Sequence, residues 1–167
     1  EWVTLAVVDP NARLAAAIAE LRKRLEANKG DNLCAKLFGG LENALKKLNE
    51  SKITFRSMGG PISLNGKTIA PTPVTDAITR GKEVIINSDG RFMAEDGTLP
   101  VMLRPDLKAT GVNYFDLDDV GSAALILGHE LGHRTGKLED EEKAKDRQAT
   151  NDRNNQRVYD ACFKGMS

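Results

Sequence analysis

The sequence predicts an α+β fold: a small mixed sheet packed against one central helix, with helices ahead of it and a helix behind it. Three observations carry this. Apolar residues recur at helical spacing through residues 11–49. Short β-branched runs bounded by Asn-Gly, Asp-Gly and Pro fill residues 52–105. A nearly all-apolar run from Val120 to Leu127 then leads into the only two histidines of the chain. With 167 residues, 40% apolar and 29% charged, the chain is expected to form one domain, 1–167, with a core of its own.

The elements follow in order. After an apolar start at Trp2–Val8, Asp9-Pro10-Asn11 reads as a turn and helix cap. Leu14, Ile18, Leu21 and Leu25 then give residues 12–28 one apolar face, and Gly30 is the expected stop. A second helix is expected from Asn32 to Asn49, with Leu33, Leu37, Leu41, Leu45 and Leu48 on one side and Gly39-Gly40 as a break. Ile53-Thr54-Phe55 has strand character, and Asn65-Gly66 is the turn of a hairpin over 62–70 that Pro71 and Pro73 close. Glu83–Asn87 is the clearest buried strand, and Val101–Leu103 a further short one before Pro105. A loop over 111–119 precedes the central helix, 119–135, which Asp118 or Asp119 can cap. A C-terminal helical segment is expected over 139–163, with EDEEKAKDR at 139–147 as a solvated helix face.

Charge excludes some functions. Lys plus Arg and Asp plus Glu are 24 each, and aromatics are 5%, so the chain lacks the basic excess and stacking residues of a nucleic-acid binder. No apolar run is long enough for a membrane span. Cys34 and Cys162 lack CxxC spacing; they form one bridge if the protein is exported, or buried thiols if it is cytosolic. Opening at Glu1-Trp2 without an initiator Met, the chain reads as a processed or excised domain.

His129 and His133 lie four residues apart, which stacks both imidazoles on one helix face, one turn apart. Glu130 projects beside that face, where it can deprotonate a water activated by an ion the histidines hold. This is HExxH, whose chemistry suits Zn2+. Zinc also needs a third protein ligand.

The string HELGHRTGKLE, His129 to Glu139, resembles the extended metzincin motif HExxHxxGxxH. Gly136 stands at the position where that family ends its helix and turns back, and Glu139 at the third-ligand position. The family has His there, or Asp in some small bacterial members, so Glu139 departs in ligand type. Asp140, Glu141 and Glu142 adjoin it and leave the assignment open. A zincin of the glutamate-ligand type would draw its ligand from a following helix, making Glu142, Asp146 or Asp152 contenders. The family's methionine turn has only Met166 to match it. More broadly, a short helical front half, a strand like EVIINSDG, a helix carrying GHELGHRTG and an Asn/Arg-rich helix, NDRNNQRVYDACF, make residues 83–163 resemble the zincin-like domains of bacterial effectors and polymorphic toxins. That resemblance implies a peptidase secreted or delivered into a target cell, with a delivery system or a cognate inhibitor as partner.

The expected activity is therefore that of a zinc endopeptidase acting on protein or peptide, with Glu130 as base. Tyr159 is the first choice for a second donor to the tetrahedral oxygen, ahead of Arg157, Tyr114 and Arg134. Substrate is expected to lie along Val101–Arg104 or Glu83–Asn87 as an added strand. Gly128 and Gly132 leave room for a close approach. The rival readings are a zinc amidase on a non-peptide or cell-wall bond and a non-catalytic zinc-binding domain.

Overall fold

A computed structural model describes residues 9–27, 32–58, 62–64, 67–69, 76–93 and 117–164. They form an α+β architecture in which N-terminal helices, a three-stranded mixed sheet and C-terminal helices enclose a candidate metal site.

α1 (Pro10–Glu26) begins where the Asp9 carboxylate accepts the Asn11 N–H at 3.0 Å, with Pro10 in the first turn, where its missing N–H has no helical partner to lose. Its buried stripe is Arg13, Ala17, Leu21 and Leu25, flanked by half-buried Leu14 and Ile18. The second expected helix is divided into α2 (Leu33–Leu37) and α3 (Leu41–Glu50). Between them Gly39 and Gly40 have φ of +86° and +106°, conformations that cost a side-chain-bearing residue strain. This break resets the helical phase and corrects the expected leucine face. Leu33 is 61% and Leu41 36% exposed, while Cys34, Ala35, Phe38, Ala44 and Leu48 are buried.

β1 (Lys52–Arg56), β2 (Ile62–Leu64), β3 (Lys67–Ile69), β4 (Ala77–Arg80) and β5 (Glu83–Asn87) follow. β2 and β3 pair antiparallel with Leu64 opposite Lys67, the register of a hairpin closed by two residues. The other strands form a sheet in the order β1-β5-β4, with β1 parallel and β4 antiparallel to β5. Central β5 is covered on both faces. Val84 and Ile86 join the main core, and Ile85 packs with Met58 and Ile78 on the other side, which explains its unbroken apolar run. Beyond the strand, a 3-10 turn (Arg91–Met93) buries Phe92 edge-on to Phe55, ring centroids 5.8 Å apart. The same turn pairs Arg91 with Asp76 at the start of β4.

α4 (Asp119–Arg134) is capped by Asp118, which accepts the Gly121 N–H at 2.6 Å. It lies against α1, α3, β4 and the C-terminal helix, and every residue from Ala123 to Gly132 is buried. A helix so covered reads as apolar on all sides. Past it, residues 139–147 are not the expected helix face. Asp140 and Asp146 bond the backbone amides of Glu142 and Ala149 at 2.9 and 3.0 Å, giving a 3-10 turn (Glu141–Lys143) and then a fresh start for α5 (Arg147–Cys162). A disulfide between Cys34 and Cys162 ties α5 to α2 across 128 residues.

Among the described residues no helix is long and apolar enough to cross a membrane. Trp2–Val8, Gly30, Asn65-Gly66, Pro71, Pro73, Val101–Arg104, Tyr114 and Met166, all singled out in the sequence, lie outside the described residues.

Candidate metal centre

The helical period places His129 and His133 one above the other on α4, with ring centroids 4.9 Å apart and their Nε2 atoms 3.1 Å apart. The third group arrives from the chain beyond the helix. Gly136, at φ +71°, stops α4, and the amides of Lys137 and Leu138 turn back to donate to the Gly132 carbonyl at 2.9 and 3.3 Å. The Leu138 side chain then lies on Gly132, so close that a Cβ there would collide with it. A Cβ on Gly128 would likewise meet Val158 of α5 at 2.9 Å. The closely approaching groups at both glycines are thus the protein's own side chains.

The carboxylate brought onto the histidines is Glu141, with Oε1 2.5 Å from Nε2 of His129 and Oε2 2.7 Å from Nε2 of His133. Glu139, at the metzincin third-ligand position, points outward and pairs with Arg153 at 3.2 Å, both side chains more than half exposed. Its N–H and its C=O are both hydrogen-bonded to the side-chain amide of Asn154. Of the other acids considered, Glu142 pairs with Arg80, Asp140 and Asp146 cap turns, and Asp152 accepts from Gln148 at 2.7 Å.

Each of the paired groups shifts the protonation of the other. Burial alone would lower the pKa of His129. The hydrogen bond to Glu141, the charges of Glu130 and Glu141 and the contact with Asn155 outweigh it and push His129 up to about 9. Burial would raise Glu141, yet its hydrogen bonds to both histidines hold it far below the usual carboxylate range. The residues fit a metal ion on three counts. Their ligand atoms all lie within 4.8 Å of one another. The Nε2–Nε2 distance of 3.1 Å is near the ~3.3 Å that tetrahedral geometry gives for ligands about 2.0–2.1 Å from zinc. Finally, Nδ1 of His129 donates to Oδ1 of Asn155 at 2.6 Å, so Nε2 is the nitrogen that faces the site, open to a proton or to an ion.

Glu130 is 5% exposed and stands apart from the three converging groups, its Oε2 accepting the hydroxyl of Thr79 on β4. Arg134 donates to Ser51 Oγ and the Gly81 carbonyl at 3.0 and 2.9 Å. Arg157 donates to the Lys137 carbonyl at 3.1 Å. Tyr159 is half-buried against the main core, one turn beyond Asn155. Glu83–Asn87 has both edges paired, so no strand can be added to it; the sheet edge beside α4 is β4, which the sequence reading did not anticipate.

Asn154, Asn155 and Thr79 are not among the site residues the sequence singles out. For the asparagines a signal existed. Thr150, Asn154, Val158 and Cys162 repeat every four residues, and Val158 and Cys162 mark that stripe as the buried one. Thr79 has no comparable mark.

Comparison with protein-family models, with curated proteins and with solved structures gives no match to this chain.

Proposed function

We propose that this protein is a zinc-dependent peptidase in which His129, His133 and Glu141 hold the metal and Glu130 is the general base. The observation that carries the reading is the separation of the four groups: two imidazoles and one carboxylate converge, while a second carboxylate, next in sequence to His129, lies outside the cluster and accepts the hydroxyl of Thr79. Two histidines and a glutamate are a ligand set of catalytic zinc, which leaves one position for solvent or substrate. Zinc, when bound, supplies a Lewis acid that lowers the pKa of water toward about 7 and polarises a carbonyl.

The chain's own groups do the rest. Asn155 orients His129, and Thr79 leaves Oε1 of Glu130 to take a proton and pass it to the leaving nitrogen. A peptide substrate is supported by β4, the edge strand beside Glu130, whose outer side has no strand partner among the described residues. For the second donor to the developing oxyanion we retain Tyr159, tested by Tyr159→Phe. Export is proposed on the Cys34–Cys162 bridge, since such bonds persist in oxidising compartments.

The test is cleavage of an unfolded protein by the zinc-loaded chain. The parent should cut it and stop cutting when a chelator removes the metal. Glu130→Gln should hold one zinc per chain and cut at least about 100-fold more slowly, the range of general-base loss. A zinc-loaded Glu130→Gln protein as active as the parent would falsify the mechanism.

A further inference from the structure

Glu141 sits on a turn that has little reason of its own to stay in place. Glu141–Lys143 buries no residue, and its local ties are the Asp140 cap, the Ala144 N–H to the Glu141 carbonyl, and the partly exposed pair of Glu142 with Arg80. Two residues earlier the chain is gripped firmly. Asn154 is fully buried on α5; its Oδ1 accepts the Glu139 N–H at 3.2 Å and its Nδ2 donates to the Glu139 carbonyl at 2.8 Å. One side-chain amide thus takes the place of a neighbouring strand and fixes the peptide groups on both sides of Glu139. Two extended residues span at most ~7 Å, so holding Glu139 limits where the Glu141 carboxylate can reach. The next residue of the helix, Asn155, holds His129. Consecutive side chains on a helix diverge by about 100°. One turn of α5 therefore faces both the histidine helix and the returning chain.

We infer that Asn154 is a positioning residue for the metal site: by clamping the main chain of Glu139 it turns that side chain outward and delivers Glu141 to the histidines. The inference rests on the metal-site reading above and adds the residue that selects Glu141 over Glu139.

The experiment is a double-mutant cycle on the full chain, read as zinc affinity by competition with a chromophoric chelator and as the visible absorption of the cobalt-substituted protein. Asn154→Ala should weaken zinc by about 10–100-fold in the parent, as expected for a partner that orients a ligand. In a Glu141→Ala background the same change should cost less than about threefold, because the group it positions is gone. The cobalt spectrum of Asn154→Ala should move to that of Glu141→Ala. Asn154→Ser, which removes the amide clamp without burying a charge, should give a loss of the same sense, and it carries the cycle if the alanine variant lacks a cooperative thermal transition. Equal losses in both backgrounds, or none in the parent, overturn the inference and leave the metal site standing. A parent chain that binds no zinc, or a Glu141→Ala chain that binds as tightly as the parent, overturns the metal-site reading and this inference together.

Discussion

Nδ1 of His129 donates to Oδ1 of Asn155 at 2.6 Å, joining buried α4 to the packed face of α5. Both residues are under a tenth exposed, so water cannot replace either partner at small cost. Asn155→Ala should weaken zinc binding by about 10–100-fold, and Asn155→Asp, which keeps an acceptor, by less. Chelator competition checks both. An alanine variant with parental affinity would mean that the bond does not orient the imidazole.

The two glutamates separated by one residue should behave differently. Glu141→Ala is expected to lose more than about 100-fold in zinc affinity, beyond the range for outer partners. Glu139→Ala removes only an exposed ion pair, so it should leave affinity unchanged and stability within ~1 kcal/mol. Metal titration and urea unfolding of the pair decide which acid is the ligand.

Gly132→Ala puts a methyl group where the Leu138 side chain lies. Overpacking of this kind costs about 1–3 kcal/mol, and alanine returns roughly 1 kcal/mol of helix propensity. The expected outcome is a modest net destabilisation in urea together with weaker zinc binding, because Leu138 leads the chain toward Glu141. Parental stability and affinity would show that the turn adjusts without moving the carboxylate.

Reducing the Cys34–Cys162 bond frees a loop of 128 residues in the unfolded chain. A loss of about 2–4 kcal/mol is expected, measured by urea unfolding with and without reductant, with Cys162→Ser as the non-reducible comparison. No shift would mean that the bridge adds nothing to stability in solution.

Thr79→Val removes the hydroxyl that holds Oε2 of Glu130 and keeps the side-chain shape. A hydrogen bond to a charged group contributes about 1.5–3 kcal/mol, so kcat on a peptide should fall on the order of 10- to 100-fold. Zinc content should be unchanged, and Thr79→Ser should recover most of the rate. A valine variant with parental kcat would remove Thr79 from the site's chemistry.

Local spacing is sufficient for much of this molecule. The cap at Asp9, the hairpin register of β2 and β3, the break at Gly39-Gly40, the buried run of β5 and the stop at Gly136 each depend on a few neighbouring residues, and the structure forms each of them. The same holds for His129 and His133, whose place on one face follows from a spacing of four on a helix. The α+β class follows from the order of those local patterns.

What spacing could not decide was which acid meets the histidines. Glu139 and Glu141 are equivalent in chemistry and differ by two positions on a turn, so the choice depends on the path of the backbone. Along that path Leu138 lies on Gly132 and Asn154 bonds Glu139, contacts six and fifteen residues apart in sequence. Asn155 and Thr79 likewise reach the site from 26 and 51 residues away from their partners. The two imidazoles, the adjacent carboxylate and the helix that carries them are legible in the local pattern, because hydrogen bonding and sterics within one helix specify them. The third carboxylate and the side chains around it are not, because these depend on how α5 and β4 pack against α4.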